Sequence, residues 1–183
     1  VDISEFDENT DLAVYFKAAD NAGNDLKISP ETLKLDATKP SVTFTAWNDS
    51  NPYTSIKELP LSGTVTEKNL SSLKLSVYKD DEYLSVAKDW PAYEIEALST
   101  GNAENWKFQY TVDDGDGKYS FVISAEDKAG LKDTVTSKTV YVDTTGPESF
   151  VVDNANTLTN GIYDYSKYTF TGSWSDSLSG TQT

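Results

Sequence analysis

Carboxylates are the side chains of this sequence that are best suited to do chemistry. The chain has 30 Asp and Glu residues but no His and no Cys. A Ser-His-Asp triad, a Cys nucleophile, a thiolate zinc site and a disulfide framework are therefore excluded. Carboxylates suit hard divalent cations such as Ca²⁺, which bind several oxygen ligands. Five of them occupy repeating positions of the chain, namely Asp36, Glu67, Asp127, Asp143 and Asp176.

An internal repeat sets these positions. The segment Phe121–Pro147 repeats the segment Val14–Pro40 without a gap at a spacing of 107 residues. The matching pairs are Asp20 with Asp127, Gly23 with Gly130, Asp36 with Asp143, and Pro40 with Pro147. A third copy begins where residues 168–176 match residues 59–67. The repeat predicts the end of one module at 1–38, a complete module at 39–145 and the start of another at 146–183. The chain is thus expected to be a piece of a longer tandem array.

Apolar residues alternate with polar ones along most of each module, which is the pattern of a strand with one buried face. The clearest alternation runs over residues 106–112, and turn dipeptides such as Asp114-Gly115 separate the runs. The pattern predicts about seven short strands in the complete module. Residues 90–98 are assigned to the fourth strand, with a short helix as the alternative. The fold class is therefore all-β, an antiparallel sandwich.

Three motifs of the repeat are also those of a known family. They are the runs Asp116–Tyr119, Ala125–Gly130 and Val142–Pro147. With these motifs the chain resembles the bacterial immunoglobulin-like repeats of large surface proteins and adhesins. The family's turn reads Ala-x-Asp-x-Ala-Gly-Asn; Asn24 keeps its last residue, whereas Leu131 replaces it in the second copy. The resemblance implies tandem immunoglobulin-like sandwiches in a secreted or surface-attached protein.

An immunoglobulin-like topology brings three of the carboxylates to one junction between modules. The chain enters such a sandwich at the end that carries the second–third and sixth–seventh strand loops, where Glu67 and Asp127 lie. Asp36 lies on the entering linker, so we expect these three side chains to converge and bind Ca²⁺. Asp143 and Asp176 supply the same positions at the next junction. The alternative is that each Asp caps its own turn through backbone amides.

Charge and composition narrow the range of possible functions. The net charge of −15 opposes binding to nucleic acid or an anionic membrane, and there is no run of about 18 apolar residues to span a bilayer. We expect a non-catalytic segment of an adhesin-type cell-surface or secreted protein. It would act as an extended stalk, spacer or binding module, with calcium stiffening the junctions. Its partners would be the adjacent modules and a host or cell-surface protein or glycan.

Two other functions remain open from the sequence. Aromatic side chains could form a stacking platform for sugars, as in an accessory carbohydrate-binding module of a secreted glycan-degrading protein. The candidates are Trp47, Trp90, Trp106 and Trp174, together with Tyr53, Tyr78, Tyr83 and Tyr93. Side-by-side assembly as a surface-layer or fibre subunit is the other function.

Tyr119 opens the predicted sixth strand and is either a tyrosine corner, with its hydroxyl bonded to the preceding loop, or an ordinary buried aromatic.

Overall fold

The computed structural model describes residues 6–7, 10–27, 29–45, 51–152 and 171–178 of the chain. In chain order its elements are β1 (Asp11–Val14), β2 (Lys17–Ala19), β3 (Asp25–Lys27), β4 (Glu31–Lys34), β5 (Ser41–Val42), β6 (Tyr53–Thr54), β7 (Glu58–Thr66), β8 (Leu70–Lys79), β9 (Glu82–Asp89), α1 (Ala92–Leu98), β10 (Ala103–Thr111), β11 (Gly117–Asp127), β12 (Lys132–Thr136), β13 (Val140–Val142), β14 (Ser149–Val152) and β15 (Gly172–Ser175). None of the helical residues described here forms a segment long and apolar enough to cross a membrane.

Two sheets form the central module. One has the strand order β10-β7-β5, and the other has the order β6-β13-β11-β8-β9, with β12 also paired to β11. Every pair is antiparallel except β6 with β13. Side chains of both sheets belong to one hydrophobic core, and Tyr110 of β10 packs edge-on against Phe121 of β11 at 5.2 Å between ring centroids. The prediction of an all-β immunoglobulin-like sandwich is confirmed.

Strand β11 carries the core of the larger sheet. Alternate residues from Gly117 to Asp127 are all buried, and those between them are half-buried. Opposite them, Trp106 of β10 is 1 % exposed and lies between Phe44 and Trp90, with ring centroids 5.1 Å and 6.0 Å away. Burying side chains of this size stabilises a fold by about 1.5–3 kcal/mol each. The period-two pattern of the sequence therefore identifies the core correctly.

The assignment of residues 90–98 to a strand is wrong, because Ala92–Leu98 of this segment form the helix α1, which was the alternative. Glu94 and Ile95 both donate backbone hydrogen bonds to the carbonyl of Pro91, at 2.9 Å and 3.1 Å. Tyr93 is 72 % exposed and Ile95 is buried, whereas alternation requires both to face one side. Residues three apart share a helix face, so Ile95 and Leu98 both reach the core. Three alternating apolar residues are too few to separate a strand from a helical turn.

The fourth strand is instead β9, which the sequence pattern does not reveal. It follows a two-residue turn at Asp80 and Asp81, whose φ angles of 51° and 69° match the twist of a tight hairpin. Strand β9 is at the edge of its sheet, and its pairing with β8 contains two register shifts. The shifts break the alternation, and Tyr83 and Val86 stay exposed. An irregular edge strand has no continuous buried face to mark it in the sequence.

The repeat found in the sequence recurs in the strand registers. Leu12 pairs with Leu33 in the first module as Tyr119 pairs with Val140 in the second. Ala18 pairs with Leu26 as Ala125 pairs with Asp133. The turns between these strands both contain a glycine with positive φ, 87° at Gly23 and 88° at Gly130. The two copies thus share backbone geometry as well as sequence.

Gly63 is the point of closest approach between β7 and the segment after β5. An added Cβ would lie 2.6 Å from Cζ2 of Trp106 and well inside contact distance of the Thr43 carbonyl oxygen. We expect Gly63→Ala to lower the free energy of unfolding by about 1–3 kcal/mol, because backbone must move to admit the methyl group. Urea unfolding followed by tryptophan fluorescence measures this.

Gly146→Ala is the matched control, because nothing lies within 4 Å of its added Cβ. It should change the free energy of unfolding by less than about 0.5 kcal/mol. Equal effects of the two substitutions would contradict the close approach at Gly63.

Candidate functional site at the first junction

The turn at Asp127–Leu131 holds one carboxylate oxygen through its own backbone. Oδ1 of Asp127 accepts hydrogen bonds from the N–H groups of Ala129 at 2.8 Å and Leu131 at 2.9 Å. The carbonyl of Asp127 accepts from the Gly130 N–H at 3.2 Å. One copy earlier, Oδ1 of Asp20 accepts from Ala22 and Asn24 in the same way. Both Asp residues therefore cap their turns, as the alternative in the sequence analysis states.

The two copies differ in the hydrogen bonding of the second carboxylate oxygen, Oδ2 of Asp20 and Oδ2 of Asp127. Oδ2 of Asp20 accepts a hydrogen bond from Nδ2 of Asn24 at 2.7 Å, and this bond is the largest cause of the lowered pKa of the exposed Asp20. Leu131 has no such group, and Oδ2 of Asp127 has no hydrogen-bond partner among the described residues. Asp127 is only 2 % exposed. A buried carboxylate oxygen without a donor costs about 1–3 kcal/mol or more, so this oxygen is available to a cation.

Asn69 links the three carboxylates predicted to converge. Its backbone N–H donates to Oε1 of the buried Glu67 at 2.7 Å, and its side-chain amide donates to Oδ2 of Asp36 at 2.7 Å. Its carbonyl accepts from the N–H of Lys128, the residue after Asp127, at 2.8 Å. We call the group Asp36, Glu67–Asn69 and Asp127–Leu131 the first junction. No pattern in the sequence marks this role of Asn69.

The first junction surrounds a shallow cleft instead of a closed cage. Lys34, Asp36, Asn69, Lys128 and Ala129 line this cleft. No three carboxylates of the described part of the chain lie at the spacing of a metal site. Oδ2 of Asp36 already accepts a hydrogen bond from Asn69, and the positive charges of the two lining lysines oppose a cation. The structure gathers the predicted residues around Asn69, with Oδ2 of Asp127 still to be satisfied.

The linker after Asp36 is also fixed to the central module at its far end. Nζ of Lys39 lies 2.9 Å from Oδ1 of Asp133, and Oδ2 of Asp133 accepts from the Val42 N–H at 3.1 Å. Burial raises the pKa of Asp133, but the hydrogen bonds from Lys39 and Val42 outweigh it and leave the pKa below its ordinary value. Asp133 was missed in the sequence because Leu26 stands at its position in the first copy.

The predicted residues of the second junction lie in separate turns. The N–H of Asp143 donates to the Thr54 carbonyl at 2.9 Å, and its Oδ1 accepts from the N–H of Thr145 at 3.1 Å. Oδ1 of Asp176 accepts from the Leu178 N–H at 3.1 Å. Val142 pairs with Gly117 at the start of β11, whereas Asp127 ends that strand. Asp127 and Asp143 therefore lie at opposite ends of one module.

The remaining candidates are structural in the described residues. The Tyr119 hydroxyl donates to the Gly115 carbonyl at 2.6 Å, which is a tyrosine corner. Burial, followed by the nearby Tyr110 and acidic residues, raises the pKa of Tyr119 to about 12. Trp90 and Trp106 are core residues, so they do not form a surface platform. Trp174 is half-buried opposite Phe150, and Trp47 lies outside the described residues.

The lowered pKa of Asp133 predicts a pH dependence. Because the folded state binds this proton more weakly than the unfolded chain, the stabilisation is complete above the ordinary pKa of about 3.9 and is lost as the pH falls through the folded value. We expect Asp133→Asn to lower the free energy of unfolding at neutral pH. The difference in this free energy between the variant and the unaltered chain, here called the gap, should shrink between about pH 5 and pH 3. Urea titrations at a series of pH values measure the gap.

Asp89→Asn is the control, because the ion pair of Asp89 with Lys74 is exposed on both sides and such pairs contribute little. It should show almost no gap at any pH. A gap for Asp133→Asn that stays constant through the acid range would contradict the proposed linkage.

Comparison with known proteins agrees with this architecture. The family model described as the bacterial Ig-like domain matches residues 42–144, more than half of the chain and nearly all of the central module. No curated protein matches the sequence. The matched region begins in β5 and ends just after β13, so it covers both sheets, the tyrosine corner and the turn at Asp127. The chain therefore belongs to the bacterial Ig-like domain family.

Proposed function

We propose that this chain is a non-catalytic spacer segment in the stalk of a secreted or surface-attached bacterial protein of adhesin type. The hydrogen bond between Asn69 and Asp36 is the observation that carries the proposal, because it ties the linker to the body of the next module. The family membership and the absence of His and Cys support a role without catalysis. The adjacent modules of the same chain are the first partners, and a host or cell-surface protein or glycan is the distal one.

Two attachments make the first linker suitable for a stiff spacer. Asp36 is bound by Asn69, and Lys39 is bound by Asp133. A free linker of this length would sample many conformations, because polar residues between domains behave as flexible coil. Fixing both ends on one module removes that freedom and sets the direction in which the preceding module leaves. A segment with such junctions holds distal parts of its protein away from the surface.

We further propose that Ca²⁺ strengthens the first junction through Asp36, Glu67 and Asp127. Oδ2 of Asp127 supports this, since it is buried without a donor among the described residues, whereas Asn24 donates to Asp20 one copy earlier. An ion would neutralise carboxylates that otherwise repel one another in a chain of net charge −15. Asp143 and Asp176 are proposed to serve a second site with a module that follows. At each site the protein supplies carboxylate oxygens and the ion supplies the charge that joins two modules.

A carbohydrate-binding role is the second candidate, and tyrosines that are exposed or half-buried on one face favour it. On the outer face of the larger sheet, Tyr53 and Tyr141 stack with ring centroids 5.0 Å apart, and Tyr78 meets Tyr83 edge-on at 5.6 Å. Such rings can stack on sugar faces. Binding on a glycan array would separate this role from that of a spacer or of a surface-layer or fibre subunit.

Small-angle scattering with Ca²⁺ and with EDTA tests the stiffening. We expect the maximum dimension of the chain to be larger in Ca²⁺, because a bridged junction holds the modules extended. Asp127→Asn should lose the difference, since it removes a charged ligand while keeping the shape of the side chain.

Asp20→Asn is the matched control, because Asp20 caps the corresponding turn of the preceding copy but is exposed and already bonded to Asn24. It should keep the response to Ca²⁺. A maximum dimension of the unaltered chain that is the same in Ca²⁺ and EDTA would contradict the calcium proposal.

Leu131→Asn tests the role of the second oxygen of Asp127. The new amide should bond Oδ2 of Asp127 as Asn24 bonds Asp20, raising the melting temperature in EDTA by an amount equivalent to about 1–2 kcal/mol. The increase in melting temperature on adding Ca²⁺ should become smaller, because amide and ion compete for one oxygen. Melting curves of the unaltered chain and of Leu131→Asn, each recorded in Ca²⁺ and in EDTA, give the four melting temperatures that are compared. An unchanged Ca²⁺ increment in the variant would show that the ion does not bind Asp127.

A further inference from the structure

The two junctions carry different residues at the positions that fix the linker. By the repeat, Lys39 corresponds to Gly146 and Asn69 corresponds to Leu178. Lys39 supplies the ammonium group that binds Asp133, and Asn69 supplies the amide that binds Asp36. Glycine has no side chain and leucine has no hydrogen-bonding group on its side chain. Neither attachment of the first linker can therefore form at the second junction.

The second linker is bonded instead at its two separate ends. Thr144 donates to Asp116 through its N–H and its hydroxyl, both at 2.8 Å, which holds the start of the linker on the central module. The N–H of Glu148 donates to the Ser175 carbonyl at 2.9 Å, which holds the end of the linker on the next module. Gly146 lies between the two anchored ends and has wide freedom in φ and ψ.

The second linker is also longer by one residue. Pro40 is followed directly by Ser41, which pairs with Thr66 of β7. Pro147 is followed by Glu148 and then by Ser149, which pairs with Ser175, the counterpart of Thr66. One more residue therefore separates the modules where the two fixing side chains are absent.

We propose that the first junction is a rigid clamp and that the second is a hinge at 146–147, between the anchored Thr144 and Glu148. Stiffness then differs from one junction to the next, and the residues at the positions of Lys39 and Asn69 decide which kind a junction is. This inference deepens the proposed spacer function and rests on it, since it places the bending of the spacer at defined points. It does not depend on Ca²⁺, because both fixing bonds are made by side chains of the chain itself.

Spin-label distances across the first junction test the inference. The chain has no cysteine, so cysteines introduced at the exposed positions Ala19 and Ser71 carry the only labels. The double variant Lys39→Gly with Asn69→Leu gives the first junction the residues of the second. Lys68→Ser is the matched control, because Ser177 stands at this position in the next copy and Lys68 is exposed. All distances are measured in EDTA.

We expect a narrow distance distribution for the labelled parent chain and for Lys68→Ser, and one about two-fold broader for the double variant. The melting temperature of the double variant, read from the core tryptophans, shows that the central module stays folded. Equally narrow distributions in all three chains would overturn the inference and leave the rigid spacer standing. A parent distribution as broad as that of the double variant would overturn the inference and the rigid spacer together.

Discussion

The phase of strand β11 is the constraint on which the rest of this structure depends. Its inward positions run from Gly117 through Phe121 and Ile123 to Asp127, each two residues after the last. A slip of one residue would turn the whole apolar set outward, so the core fixes this phase strongly. The same phase turns the carboxylate at the end of the strand inward. The buried Asp127 is therefore a consequence of the way the core is packed.

The two ends of β11 consequently serve different parts of the array. At its start, the tyrosine corner of Tyr119 closes the loop at Gly115, near the exit of the chain through Asp143. At its end, the turn after Asp127 meets Asn69 and, through it, the entering linker at Asp36. One strand thus relates the entry and the exit of a module to a single core. That relation suits a repeat whose proposed task is to hold a defined direction.

Much of this could be predicted from the sequence because it follows from period and repetition. Alternation identifies β7, β8, β10 and β11, whose inward faces are mostly buried or half-buried, and the repeat locates the residues of the first junction. Helix α1 and strand β9 could not be identified in the same way. The helix is too short to show its period, and β9 is an edge strand whose register shifts break the alternation.

The residues that complete the site were harder to foresee for a different reason. Asn69 and Asp133 act through hydrogen bonds to linker residues that are distant in the chain, Asp36 at 33 residues from Asn69 and Lys39 at 94 residues from Asp133. Nothing in local pattern marks such a partner, and neither residue recurs in the other copies. Asp127 shows the converse, because comparing it with Asp20 reveals which oxygen of its carboxylate lacks a donor in the part of the chain that the structure describes. Differences between copies therefore carry information that the shared motif does not.

Residual dipolar couplings of the backbone amides test the central claim, that the contacts around Asn69 join the first and second modules into one body. The account predicts that couplings of residues 11–34 and of residues 53–142 fit a single alignment tensor. Two different tensors, with a smaller magnitude for residues 11–34, would contradict it, because the first module would then move independently of the second.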